Sequence, residues 1–150
     1  MDKTRTVVAE DMMATRLFVF SPDASVKDAT HMLLRQGISG APVMGPGGMV
    51  LGVFSEYDSV RSLTQAVYAD WPSGSVSDHM TRKVVSVPPD ADLAAIAGRL
   101  TADGAGRRVL VMDGEKLVGI ITRRDLMRAF DHMLERARPR TTYELISARR

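Results

Sequence analysis

Apolar and polar positions follow two rhythms along this chain, and the same succession of rhythms occurs twice. In the second half, Val84-Val85-Ser86-Val87 is a short β-branched run closed by Pro88-Pro89, which predicts a brief strand leading into a turn. Leu93, Ile96, Ala97 and Leu100 then recur at helical spacing, with Asp90 or Asp92 as the cap and Gly104 and Gly106 as the stop. Val109-Leu110-Val111-Met112 and Leu117-Val118-Gly119-Ile120-Ile121 are buried-type strands joined by the hairpin turn Asp113-Gly114. Thr122 stands at the N-cap of a last helix whose core face carries Leu126, Met127, Phe130 and Leu134. The predicted order is strand, helix, strand, strand, helix.

The first half repeats that order. Leu17-Phe18-Val19-Phe20 reads as a strand, and Val26, Ala29, Leu33 and Leu34 lie along a helix. Pro42-Val43-Met44 and Val50-Leu51-Gly52-Val53-Phe54 form a hairpin around Gly45-Pro46-Gly47-Gly48. A helix starting near Glu56 runs through Val60 and Leu63 towards Val67. The heptapeptide Gly52-Val53-Phe54-Ser55-Glu56-Tyr57-Asp58 returns 67 residues later as Gly119-Ile120-Ile121-Thr122-Arg123-Arg124-Asp125. At that offset residues 11–63 match their counterparts at 11 of 53 positions, including Asp11 with Asp78 and Met13 with Met80, which marks a duplicated unit. Inside the hairpin the better match slips by one residue and sets Pro42-Val43-Met44 against Leu110-Val111-Met112. The expected division is repeat one at 8–69, a linker at 70–76, repeat two at 77–134 and a basic tail at 135–150. The expected fold is α/β (α+β): two β-α-β-β-α units packed about a pseudo-twofold axis, burying their apolar faces on each other.

Composition narrows the class. At 45% hydrophobic and 25% charged residues, the chain is ordinary for a soluble globular protein. No apolar run approaches the roughly 20 residues needed to span a bilayer. Met1-Asp2-Lys3-Thr4-Arg5 leads into no apolar signal-peptide core, so the default compartment is the cytoplasm. Zero cysteines exclude disulfides and thiolate chemistry. His31, His79 and His132 have no second ligand at metal spacing, and the ten methionines read as core packing.

The duplicated heptapeptide carries the candidate chemistry. Ser55 and Thr122 end a buried strand and open a helix, where first-turn N–H groups carry partial positive charge suited to a phosphate. Asp58 and Asp125 follow three residues later, and each carboxylate can accept two hydrogen bonds, as from paired ribose hydroxyls. The alternative is a capping box, in which each Asp bonds back to its own N-cap amide.

In this order and twice over, these marks resemble the cystathionine-β-synthase (CBS) domain pair, or Bateman module. They are Asp11-Met12-Met13 and Asp78-His79-Met80, Gly37-Ile38-Ser39-Gly40-Ala41-Pro42-Val43, and the two Gly-x-x-(Ser/Thr)-x-x-Asp junctions. The resemblance covers about residues 8–134. It implies a regulatory, non-enzymatic module with no cofactor, taking an adenine nucleotide or S-adenosylmethionine as regulatory ligand. AMP, ADP, ATP and NAD are the nucleotides in view. By the same resemblance Asp125 and Asp58 hold ribose, while Thr122, Ser55, Arg124, Arg123, Arg107 and Arg108 meet phosphate. Adenine is placed against Val84, Val85, Val109 and Leu110, and against Leu17, Phe18, Gly40, Ala41 and Pro42. The basic pairs Arg107-Arg108 and Arg123-Arg124 are expected around the Thr122 mouth, which makes it the stronger site; the Ser55 mouth has Glu56 and Tyr57 instead. It stays empty, takes a less charged ligand, or borrows cations from repeat two or a second subunit.

A homodimer packed through Met32, Leu63, Val67, Met127, Phe130 and Leu134 is expected, with an unknown effector protein as partner and no membrane. Three rivals stand beside this reading: an enzyme acting on a nucleotide, a structural dimer with empty clefts, and a nucleic-acid binder. The last is suggested by the pI of about 9.2 and the arginine-rich tail, but aromatics are only 5%, too few for a stacking platform.

Overall fold

The computed structural model describes residues 6–67, 74–102 and 106–137. Gly104, most of the expected linker and the basic tail from Arg138 onward lie outside the described residues. In chain order the elements are α1 (Ala9–Met12), α2 (Val26–Gln36), β1 (Gly40–Met44), β2 (Val50–Ser55), α3 (Glu56–Ala66), α4 (Val76–His79), β3 (Ser86–Val87), α5 (Leu93–Thr101), β4 (Arg108–Asp113), β5 (Lys116–Thr122) and α6 (Arg123–Ala137). A 3-10 turn at Pro46–Gly48 joins β1 to β2. None of the described helices is long and apolar enough to cross a membrane.

Local signals account for the helix ends. The Ser25 side chain accepts the Asp28 N–H at 3.1 Å to start α2, which stops at Gly37 in the left-handed region (φ 63°). Asp92, rather than Asp90, caps α5, its carboxylate accepting the Ala95 N–H at 2.8 Å. That helix stops at Thr101, before the glycines expected to end it, and its last turn closes with the Ala102 N–H donating to Gly98.

Two antiparallel hairpins form the sheets, and their registers match. Gly40 stands opposite Ser55 as Arg108 stands opposite Thr122, and each hairpin bulges at the same place, after Val43 and after Val111. Gly40 and Arg108 are therefore structural equivalents, and the one-residue slip lies where the sequence placed it. The first strands are shorter than expected. β3 pairs parallel with β4 over two residues, and Leu17–Phe20 reduces to a bridge from Phe20 to Val43. Phe20 is the residue of that run that the core holds, its ring edge-on to Phe54 at 5.8 Å, while Phe18 and Val19 are exposed.

The two cores exchange their entrances. Phe20, Val26, Ala29, Leu33, Val43 and Phe54 of the first half pack with Val76 and Met80, from the start of the second. Val87, Ile96, Leu100, Val109, Val111 and Ile121 of the second half pack with Ala9, backed by Met12 and Met13. The exchange is completed by bridges from Thr81 to Val53 and from Ala14 to Ile120. Each packed unit thus takes its opening segment from the other sequence repeat. Both motif glycines serve this crossing. A Cβ on Gly52 would lie 2.6 Å from the Thr81 carbonyl oxygen, and one on Gly119 would collide with Met13.

Candidate functional site

The strand-to-helix junction of the first repeat closes on itself. Asp58 is fully buried, and its Oδ2 accepts the Ser55 N–H at 2.9 Å and the Ser55 hydroxyl at 3.0 Å. Its Oδ1 accepts the Thr81 hydroxyl at 2.9 Å and lies 3.5 Å from Arg61 Nη2. In the second repeat, Asp125 Oδ2 accepts the Thr122 N–H at 2.8 Å and the Thr122 hydroxyl at 3.0 Å, and Thr122 Oγ1 accepts the Asp125 N–H at 3.2 Å. Both motifs are capping boxes in this structure. The first-turn amides are also partly engaged: the Glu56 N–H donates to Ser39 at 2.9 Å and the Arg123 N–H to Arg107 at 3.4 Å. A helix N-terminus already bonded in this way offers less to a phosphate, so cationic side chains matter more.

Those side chains converge on the Ser55 mouth. A cleft of about 540 Å³ is lined by Ser55, Tyr57 and Asp58 from the first repeat and by Lys83, Arg99 and Arg108 from the second, over an apolar floor of Val53, Val85 and Leu110. Its size suits a nucleotide-sized ligand, since such pockets run about 300–1,000 Å³. Arg108 Nη2 donates to Ser39 Oγ at 2.5 Å, and the guanidinium lies over Gly40. Burial pushes the Arg108 pKa down, Glu56 and Asp58 pull it back up, and Arg107 adds to the lowering; the guanidinium stays charged at neutral pH. A second cavity, about 530 Å³, lies between the Pro46–Gly48 turn and Val84, Ser86, Met112 and Glu115, with Glu115 the one charged residue lining it among the described residues.

The crossing of the repeats corrects the expected grouping. Arg108, expected around the Thr122 mouth, instead lines the cleft of Ser55 and Asp58, together with Val85 and Leu110. Arg123 is drawn elsewhere, its Nε donating to the Leu100 carbonyl at the end of α5 at 3.1 Å. Arg107 and Arg124 are exposed, and Val84 lines the other cavity. The side chains of Val109 and Ala41 point into the cores, which leaves their backbone for any ligand contact, while Pro42 is fully buried without joining either core. Leu17 is half-buried and Phe18 exposed. Tyr57 lines the Ser55 cleft as its sequence position implies, whereas Thr81, Lys83 and Arg99 are lining residues that no sequence motif marks. Thr81 follows the Asp78-His79-Met80 mark directly, so a motif-adjacent hydroxyl was the signal available.

The fold and this cleft define a class: a tandem-repeat α+β module whose ligand-sized cleft is built jointly by both repeats. The family model of the CBS domain matches residues 8–61 and 76–132, and the chain belongs to the CBS-domain family. Among curated relatives, the A-adding tRNA nucleotidyltransferase of Aquifex aeolicus is 32% identical over 126 residues, covering 84% of this chain and 15% of that protein. The chain spans only 15–45% of the length of the first three curated relatives it matches. The structure of CBSX2 (from Arabidopsis thaliana) in complex with AMP is 30% identical, with a TM-score of 0.71, covering 85% of this chain and 98% of that one. A putative acetoin utilization protein (AcuB) from Vibrio cholerae is 25% identical, with a TM-score of 0.76, covering 89% and 99%.

Proposed function

We propose that this chain is a non-enzymatic regulatory module that binds an adenosyl nucleotide between its two repeats and passes its occupancy to a partner protein. The observation that carries this reading is the cleft in which Lys83, Arg99 and Arg108 surround Ser55 and Asp58. Three cations beside a capped helix start suit a phosphate, and the apolar floor of Val53, Val85 and Leu110 suits a base. The AMP complex of CBSX2, at 30% identity, supports the ligand class. Asp58 and Asp125 are the ribose ligands in this reading. Ser55 and Thr122 serve phosphate, with Arg108 at the first mouth and Arg124 at the second. Because the Ser55 cleft is shared by both repeats, a ligand that prefers one relative placement of them shifts the population toward it.

In this reading the protein is a cytoplasmic homodimer. A structural dimer with empty clefts is the second reading, favoured by the saturated hydrogen bonding of Asp58. Thermal melting with AMP, ADP, ATP, NAD and S-adenosylmethionine separates the two. A ligand at 100 times its dissociation constant stabilises the fold by about 2.7 kcal/mol. No shift with any of the five removes the sensor reading and leaves the structural one.

A further inference from the structure

The two motif carboxylates keep unlike company. Asp58 is fully buried with both oxygens engaged, Oδ2 by Ser55 and Oδ1 by the Thr81 hydroxyl at 2.9 Å with Arg61 beyond. Asp125 has the same Oδ2 pair from Thr122, but its Oδ1 faces Arg128 Nη1 at 3.7 Å and its side chain is 20% exposed. The difference traces to one position. Thr81 bridges Val53 on the strand leading into Asp58, and Ala14 bridges Ile120 on the strand leading into Asp125. The bridges are alike, with N–H···O distances of 2.9 and 2.9 Å for Thr81 and 2.9 and 3.1 Å for Ala14. The duplication aligns these two residues, and alanine brings no hydroxyl.

A carboxylate accepts about four hydrogen bonds, and a ribose diol needs an oxygen it can reach. At Asp125 an accessible oxygen is present. At Asp58 the corresponding oxygen is held by a residue of the chain itself.

Resting on the adenosyl reading above, we propose that Thr81 is a specificity-determining latch, its hydroxyl competing with ligand ribose for Asp58 Oδ1 and ranking the two clefts. A ribose engages Asp125 directly, and Asp58 only once the Thr81 hydroxyl has turned away. The first repeat's cleft therefore has the richer set of cations and the less available carboxylate. Its occupancy is also tied to the segment 76–81, whose Val76 and Met80 sit in the first core.

Calorimetric titration with AMP tests the latch on the full chain, comparing the parent with Thr81→Ala, Thr81→Ser and Ala14→Thr. The parent shows a tight and a weak class of site. Thr81→Ala tightens the weak class by roughly two- to tenfold, the net worth of one hydrogen bond. Thr81→Ser keeps the hydroxyl and behaves as the parent, and Ala14→Thr weakens the tight class by a similar factor. Circular dichroism melting checks each fold; Thr81→Val, of near-equal volume, replaces Thr81→Ala if the smaller residue unfolds the protein. A weak class that is unchanged or weaker in the hydroxyl-free variants overturns the latch while the adenosyl reading stands. Two equal classes in the parent do the same. Absence of AMP binding to the parent and every variant removes the adenosyl reading itself, and the latch with it.

Discussion

Arg108 and Gly40 occupy equivalent positions in the two hairpins, yet they touch each other. A Cβ on Gly40 would lie 2.5 Å from Arg108 Nη1, so only one of the two places can carry a long side chain in this arrangement. The obstacle to a larger residue at Gly40 is the far end of a flexible side chain, which yields easily. Gly40→Ala should therefore leave the melting temperature nearly unchanged while displacing the guanidinium from Ser39, and AMP titration should show weaker binding. Arg108→Ala should weaken AMP by roughly 1.5–3 kcal/mol, the usual range for a hydrogen bond to a charged group. Equal affinity of the Ser55 cleft for AMP in parent and Arg108→Ala would place its phosphate elsewhere. Gly52 is the opposite case. The atom its Cβ would meet is the Thr81 carbonyl oxygen, itself bonded to the Val53 N–H at 2.9 Å, and backbone there cannot swing aside. Gly52→Ala should cost about 1–3 kcal/mol of stability, as overpacking does, read by denaturant unfolding.

At the scale of elements, helix starts and hairpins were legible because their signals are local. A hydroxyl residue followed three places later by Asp marked both motif helices, and the same box recurs at α4, where Ser75 donates its N–H to Asp78 at 3.0 Å. The bond from Ser75 holds the Asp78 pKa below its ordinary value. What sequence could not show is which repeat each opening segment joins, since the exchange of Ala9 and Met13 for Val76 and Met80 is a choice between two chemically similar cores. That choice put Arg108 at the other mouth, where no pattern within one repeat would have placed it. The first strand is shorter than its residues predict for a related reason. Leu17–Phe20 has strand-forming residues, but only Phe20 finds a bridging partner there. The capping boxes also separate the two aspartates energetically. Asp125→Ala removes a cap at a partly exposed site and should cost about 1 kcal/mol. Asp58→Ala removes the same cap at a fully buried position and leaves the part-buried Ser55 donors without their partner, at about 1–3 kcal/mol, and should destabilise clearly more. Urea unfolding of the two variants side by side checks the order; an Asp58→Ala loss no larger than that of Asp125→Ala contradicts it.

The whole molecule leaves apolar surface on its helices that neither core covers. Along α6, Leu126 is buried and Ala129 half-buried, with Phe130 and Met133 next on the same stripe at 40% and 39% exposure. Met127, expected on the core face, is 68% exposed, because the stripe that meets the core runs through Leu126 and Ala129 and Met127 lies one residue off it. Val60 on α3 and Val67 just past its end are also exposed, at 62% and 78%. These exposed apolar side chains on α3 and α6 are the surface a partner could cover, since exposed apolar patches mark interaction sites. A twofold axis would let the same patch cover itself on a second copy, the commonest arrangement among soluble oligomers. The expectation is a homodimer by light scattering at micromolar concentration. The double variant Met127→Glu, Phe130→Glu places two charges on the patch of each copy, four across the axis, and should shift the protein to monomer. Its circular dichroism should still show the folded spectrum, since Met127 is largely exposed and Phe130 lies outside the buried core. A parent that scatters as monomer with and without AMP refutes the interface, and a double variant that remains dimeric moves it to another face.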